Sequence, residues 1–152
     1  MEKNGNEIEI LARGVCVVDG QLLVCHSRNK WNTYLPGGHV EFGEYSPVAL
    51  ARELVEELGV QPVVGRFLGV AEHRYRRAGR TQCEINLVFA VELPGLDPSG
   101  KPAACEDSLD FRWVPLERLN EVELEPAQLC DTLPGWLAQD GAGWICTGGG
   151  DQ

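Results

Sequence analysis

One stretch, Gly38 to Val60, limits what this chain can become more than any other. Glu53, Glu56 and Glu57 fall at i, i+3 and i+4, spacings that stack side chains on one face of a helix. The expected helix has marked ends: Ser46 as N-cap, Pro47 at the first helical position and Gly59 as the stop. Leu50, Ala51, Leu54, Val55 and Leu58 form one apolar arc at helical spacing. The glutamates lie beside that arc, so the helix can bury one edge while its acidic edge faces a cleft. Three crowded carboxylates repel one another, and Arg52 offsets only part of the charge. A divalent cation resolves the conflict most simply. Oxygen-only donors suit Mg²⁺ or Mn²⁺ rather than zinc, since no His or Cys stands among them. The plainer reading, an acidic helix face bathed in water, fits the three glutamates taken alone.

Just upstream, Leu35-Pro36-Gly37-Gly38 forms a turn whose paired glycines let the backbone approach a ligand closely. A glycine turn followed by carboxylates on the next helix points to a metal–pyrophosphate site.

These residues resemble the Nudix box, G-x5-E-x7-R-E-U-x-E-E-x-G-U, where U is a bulky aliphatic residue. Gly38, Glu44, Arg52, Glu53, Leu54, Glu56, Glu57, Gly59 and Val60 meet every specified position. The chain is therefore similar to the Nudix (MutT-like) hydrolase superfamily. The resemblance implies a mixed α/β fold, an α/β/α sandwich with a central mixed sheet. It also implies Mg²⁺-dependent hydrolysis, with Mn²⁺ as a substitute, of a nucleoside diphosphate linked to another moiety. Its metal ligands would be Glu53, Glu56 and Glu57, joined by the Gly37 carbonyl. The base would be Glu53 or, as in other branches, a loop glutamate, here Glu106. Glu44 and Arg52 would form the salt bridge that seats the helix against the loop, with Gly59 as a structural residue of the motif. Substrate contacts would fall on Arg28, with Lys30 a weaker candidate, and on Gly38 and His39. Tyr75, sixteen residues past Gly59, matches a marker of dinucleoside polyphosphate hydrolases. Nucleoside triphosphates, ADP-ribose, nucleotide sugars and dinucleoside polyphosphates all stay open as substrates. Homodimers are common among such relatives. Two other readings stand beside the enzyme. One is a catalytically inactive Nudix-fold module that binds nucleotides for regulation. The other is an interaction protein whose acidic surface recruits basic partners.

The rest of the chain fits one domain of 152 residues with 43% hydrophobic side chains. A net charge of −10 argues against extended nucleic acid or membrane held by a broad basic patch. It allows a small anionic substrate, because a bound cation and a few arginines can invert the local field. Cys16, Cys25, Cys83, Cys105, Cys130 and Cys146 show no CxxC and no zinc-finger spacing. They read as reduced, packed thiols of a cytoplasmic protein. No signal peptide and no long apolar run is present, so no membrane span is expected.

In chain order, residues 1–7 and 147–152 read as disordered tails, and the glycine-rich segment from Gly141 as mobile, with Trp144 and Ile145 able to dock locally. Ile8 to Val18 reads as a strand, Asp19-Gly20 as a hairpin turn and Gln21 to His26 as the return strand. Trp31 reads as stacking on a base or, in preference, capping the core. Val63 to Tyr75 and Thr81 to Leu93 form a long antiparallel pair around a basic turn, with Arg74, Arg76, Arg77 and Arg80 the densest positive cluster. That cluster reads equally as a phosphate attractor or as an exposed hairpin tip. Leu109 to Val114 is a further strand and Glu117 to Asn120 a short helix. Pro126 to Ala138 is a last helix, interrupted by Pro134, with Leu129, Leu133, Leu137 and Trp136 facing the core.

Overall fold

The structure is a computed structural model that describes residues 6–147. The expected tails at residues 1–5 and 148–152 lie outside those residues. Ten strands are present: β1 (Ile8–Val15), β2 (Val17–Val18), β3 (Gln21–Ser27), β4 (Thr33–Tyr34), β5 (Gly37–His39), β6 (Val63–Arg77), β7 (Arg80–Glu92), β8 (Leu109–Pro115), β9 (Leu124–Glu125) and β10 (Gly143–Cys146). Two α-helices, α1 (Ser46–Leu58) and α2 (Leu129–Ala138), and a 3₁₀ turn over Leu116–Glu121 are the other elements among the described residues.

The architecture is the mixed α/β sandwich that the resemblance implied. Its strands divide into two sheets. One is ordered β10-β6-β7-β1-β5; the other is β2-β3-β4-β9, with β8 also on β3. The first is mixed, since β1 runs parallel to β7 and antiparallel to β5. Helix α1 packs over β1 and β5, while α2 packs on β6 and the 3₁₀ turn. Two cores follow. Leu50, Leu54 and Leu58 of α1 meet Ala12, Leu23, Phe89 and Phe111 in one, and Leu129, Leu133 and Trp136 of α2 meet Val24, Leu68 and Val88 in the other. Each fully buried leucine contributes about 1.5–3 kcal/mol relative to an exposed one.

Several expectations need correction. The strand expected over Ile8 to Val18 breaks at Cys16, where the chain leaves one sheet for the other. Only Val17 and Val18 pair with the return strand, whereas β1 pairs along its whole length with β7. The N-cap is Tyr45, with Ser46 already helical and no side-chain cap. Val55 is 39% exposed, outside the buried part of the apolar arc. Trp31 is 90% exposed rather than capping the core, because it sits on the polar β3–β4 loop with no apolar layer above it. Helix α2 starts at Leu129 and runs through Pro134 without a break. The proline leaves the Cys130 carbonyl without its helical donor, and burial of Leu133 and Trp136 on either side offsets the loss. The segment expected to be mobile from Gly141 instead adds β10 parallel to β6. There Gly143 seats against the Trp136 indole so closely that any Cβ would overlap it, and Thr147 hydrogen-bonds the Glu72 carbonyl through its N–H (3.0 Å).

Candidate active site

The glycine turn and the acidic helix meet because β5 is laid on β1. Arg13 lies opposite Gly37, and Ala12 opposite Gly38. Gly37 has φ +140°, and a Cβ there would stand 2.0 Å from the Ala12 carbonyl oxygen, so only glycine lets the two strands close. A Cβ on Gly38 would stand 2.4 Å from Cδ of Glu53. The missing side chain of Gly38 is the room in which the Glu53 carboxylate sits.

Arg52 engages most of the acids. Its Nε and Nη2 bind Glu44 as a fork, at 2.8 and 2.9 Å. Nη1 donates to Glu53 at 3.1 Å and to Glu56 at 3.4 Å, and Nη2 also reaches the His39 carbonyl at 3.1 Å. The guanidinium beside Glu44 holds that carboxyl well below its usual range, at about 2. The helix thus supplies its own counter-ion for Glu44, Glu53 and Glu56.

Glu57 is different. It is only 6% exposed, packed along the row of Leu54 and Leu58. Burial pushes its carboxyl up to about 8, helped by the charges of Glu53 and Glu106 and opposed by Arg13 and by the Gly37 N–H. Its Oε2 is buried with no hydrogen-bond partner among the described residues. Such an atom costs free energy unless a ligand meets it. Among the described residues no three His, Cys, Asp or Glu side chains stand together as they would to hold a metal ion.

Glu106 is exposed, on the loop that the Cys105 N–H ties to the Glu57 carbonyl at 2.7 Å. That link brings its charge to bear on Glu57. His39 is exposed, its Nε2 3.3 Å from Glu9. Arg28 is exposed, and its backbone N–H binds the Ser108 carbonyl at 3.0 Å. Neither His39 nor Arg28 lines the cavity that Arg13 borders. That cavity, of about 200 Å³, is bordered by Arg13, Lys30, Tyr75, Arg77, Glu84 and Glu125. Tyr75 donates its hydroxyl to Glu84 (3.1 Å) and stacks on His73 with ring centroids 4.8 Å apart.

Arg13 was not among the residues singled out from the sequence, yet it joins the two halves of the site. It donates to the Leu35 carbonyl (3.1 Å) and to Oδ1 of the buried Asn86 (3.3 Å), and it lies over the Tyr34 ring. The available signal was a lone arginine inside an apolar strand, flanked by Ala12 and Gly14. Asn86 carried the same signal inside β7.

All six cysteines are free, with Cys16 and Cys25 buried. No helix among the described residues is long and apolar enough to cross a membrane.

The model of the NUDIX domain family matches residues 9–132. An isopentenyl-diphosphate Delta-isomerase of Rhodobacter capsulatus is 28% identical over 149 residues, covering 91% of this chain and 83% of that protein. An ADP-ribose pyrophosphatase of Methanocaldococcus jannaschii is 28% identical over 127 residues, covering 81% of this chain and 71% of that protein. Among solved structures, the MutT protein from Methanosarcina mazei Go1 superposes with a TM-score of 0.67 at 23% identity, over 86% of this chain and 94% of that one. At that identity the likeness speaks for the fold.

Proposed function

The chain belongs to the NUDIX domain family, and on that premise we propose that it hydrolyses the pyrophosphate bond of a nucleoside diphosphate linked to another moiety, with Mg²⁺ or Mn²⁺ as its cofactor. One observation carries the reading: the buried Glu57 carboxyl keeps one unpartnered oxygen while the Gly37 N–H binds it and the charge of Glu53 acts on it. The donors fit a hard divalent cation, being all oxygen. Glu53, Glu56 and Glu57 would hold it together with the Gly37 carbonyl. When bound, the cation supplies charge neutralisation at the diphosphate and makes a nearby water more acidic.

The protein's own groups have distinct tasks. Glu53 accepts the proton of the attacking water, with Glu106 as the alternative base on its loop. The Gly37 N–H steadies Glu57. Gly38 leaves space for Glu53 to approach the substrate phosphate. The Glu44–Arg52 fork locks the loop over 41–45 to α1, so the acids keep their aim. Tyr75 belongs to the substrate side, on the cavity wall. His39 and Arg28, both outside that cavity, meet only the outer part of a substrate. The free thiols accord with a reducing compartment, and we assign the protein to the cytoplasm.

The test is a panel of nucleoside diphosphate derivatives, including ADP-ribose, with isopentenyl diphosphate added, assayed with Mg²⁺, with Mn²⁺ and with chelator. The expected result is cleavage between two phosphates that stops in chelator. Nucleotide binding without cleavage would make the chain a regulatory module. An isomer of isopentenyl diphosphate as product would replace hydrolysis with isomerisation.

A further inference from the structure

Resting on the hydrolase reading, we propose that the substrate carries at least one further phosphate beyond the diphosphate under attack, and that Arg13, Lys30 and Arg77 seat it in the cavity that these three residues border. The substrate class is thus a nucleoside tri- or polyphosphate rather than a nucleotide sugar.

In a chain of net charge −10, three cations border one cavity of about 200 Å³. None of the three makes an ion pair among the described residues. By contrast, Arg52, Lys101 and Arg118 each take a carboxylate within 3.1 Å. Pairing was open to the cavity cations too, because Glu84 and Glu125 line the same space. Those two acids are engaged by neutral donors instead. Glu84 accepts from the Tyr75 hydroxyl at 3.1 Å and from the Asn86 amide at 3.3 Å, and Glu125 accepts from the Asn32 amide at 3.3 Å.

Arg13 is the most informative of the three. It is half-buried, so its charge has lost part of its water. It gives Nε to Asn86 and Nη1 to the Leu35 carbonyl, both neutral acceptors. Those contacts fix the plane of the guanidinium and leave further N–H donors unused. A preset guanidinium fork whose spare donors meet no carboxylate within ion-pair distance among the described residues matches phosphate geometry. Its position fits the reaction as well. Arg13 pairs with Gly37 across β1 and β5, so it stands where the glycine turn hands over from the acids to the cavity. A chain of phosphates leaving Glu57 along that turn meets Arg13 first. The rims then supply Lys30, from the β3–β4 loop, and Arg77, from the tip of the β6–β7 hairpin. An uncharged sugar in the same place would take more water from the half-buried Arg13 without giving its charge a partner.

The experiment separates this inference from the hydrolase reading. Inorganic tripolyphosphate is titrated calorimetrically, in chelator and without metal, into the wild-type protein and into the Lys30→Gln/Arg77→Gln double variant. Both positions are exposed, and thermal unfolding confirms an intact fold. If the double variant lowers the melting temperature, the single variant Arg77→Gln carries the test. The expected result is binding to wild type that weakens at least tenfold in the variant and falls with added salt. With Mg²⁺, KM for a nucleoside triphosphate or dinucleoside polyphosphate should rise at least tenfold while kcat changes less than threefold. The wild-type preference for those substrates over ADP-ribose should collapse. Equal tripolyphosphate affinity in both proteins, or no binding to wild type, overturns the inference even if hydrolysis proceeds. Tripolyphosphate binding that the variant loses, in a protein that cleaves no panel compound, sinks the hydrolase reading and leaves the anion site standing.

Discussion

Glu57 and Gly38 show how single residues set the chemistry. Glu57 combines burial with a carboxyl raised from 4.5 to about 8. For an acid whose folded pKa lies above its unfolded value, stability is full below about pH 4.5 and is lost as pH rises through about 8. Glu57→Gln should therefore raise the metal-free melting temperature at pH 8, and the gain should vanish below pH 4.5. The same variant should lower kcat at least 100-fold, the scale of a lost group that stabilises transition-state charge. Thermal scans and turnover with Mg²⁺ measure both. Retained turnover would remove Glu57 from the mechanism. Gly38→Ala acts differently. Its new methyl would displace the Glu53 carboxylate, a flexible side-chain end, so the fold should survive. A displacement of about 1 Å at a reacting group costs roughly 100-fold in rate. Near-normal kcat in this variant would mean that Glu53 need not sit where it does.

At the scale of elements, the seating of α1 depends on a charge clamp rather than on a cap. No side chain caps its N-terminus. The Glu44–Arg52 fork ties the preceding loop to the second turn of the helix instead. Arg52 holds the Glu44 carboxyl at about 2, below its ordinary 4.5. A depressed carboxyl contributes stability that is full above about pH 4.5 and lost as pH falls through about 2. The melting temperature of Glu44→Gln should then lie below wild type at neutral pH, and the two should converge near pH 2. A gap that persists unchanged at pH 2 would show that packing, not charge, seats the loop. Turnover in Glu44→Gln should also fall, because the acids of α1 lose their register against Gly37 and Gly38.

For the whole molecule, cation binding, protonation and stability are one linked equilibrium. Below about pH 8 the buried Glu57 carries a proton, and a divalent ion must displace it. Titration with Mg²⁺ at pH 7, in buffers of different ionisation heat, should report release of roughly one proton, falling toward zero above pH 9. The melting temperature should rise with Mg²⁺ by mass action. Heats that do not depend on the buffer would place the cation away from Glu57. The overall negative charge does not work against an anionic substrate here. Arg13, Lys30 and Arg77 border the cavity, while many of the acids lie elsewhere on the surface.

Local order was legible from the residues themselves. The helix with its glycine stop, the glycine turn, the long β6–β7 hairpin and the acids of the site all follow from short-range spacing, which sequence encodes directly. What neighbours in space had to supply was not legible. Ile8 to Val18 looks like one strand, and its break at Cys16 exists because two sheets compete for it. Gly143 to Cys146 has a loop composition, and it becomes a strand because β6 offers an open edge and Trp136 a surface for Gly143. Arg13 and Asn86 stand 73 residues apart and touch only after β1 pairs with β7. The amino-acid sequence alone determined the spacing of the glycines, the acids and Arg52. The tertiary structure decided that Arg52 would contact three of the acids and leave the fourth, Glu57, buried with an unmet oxygen, because burial and pairing depend on the whole packed chain.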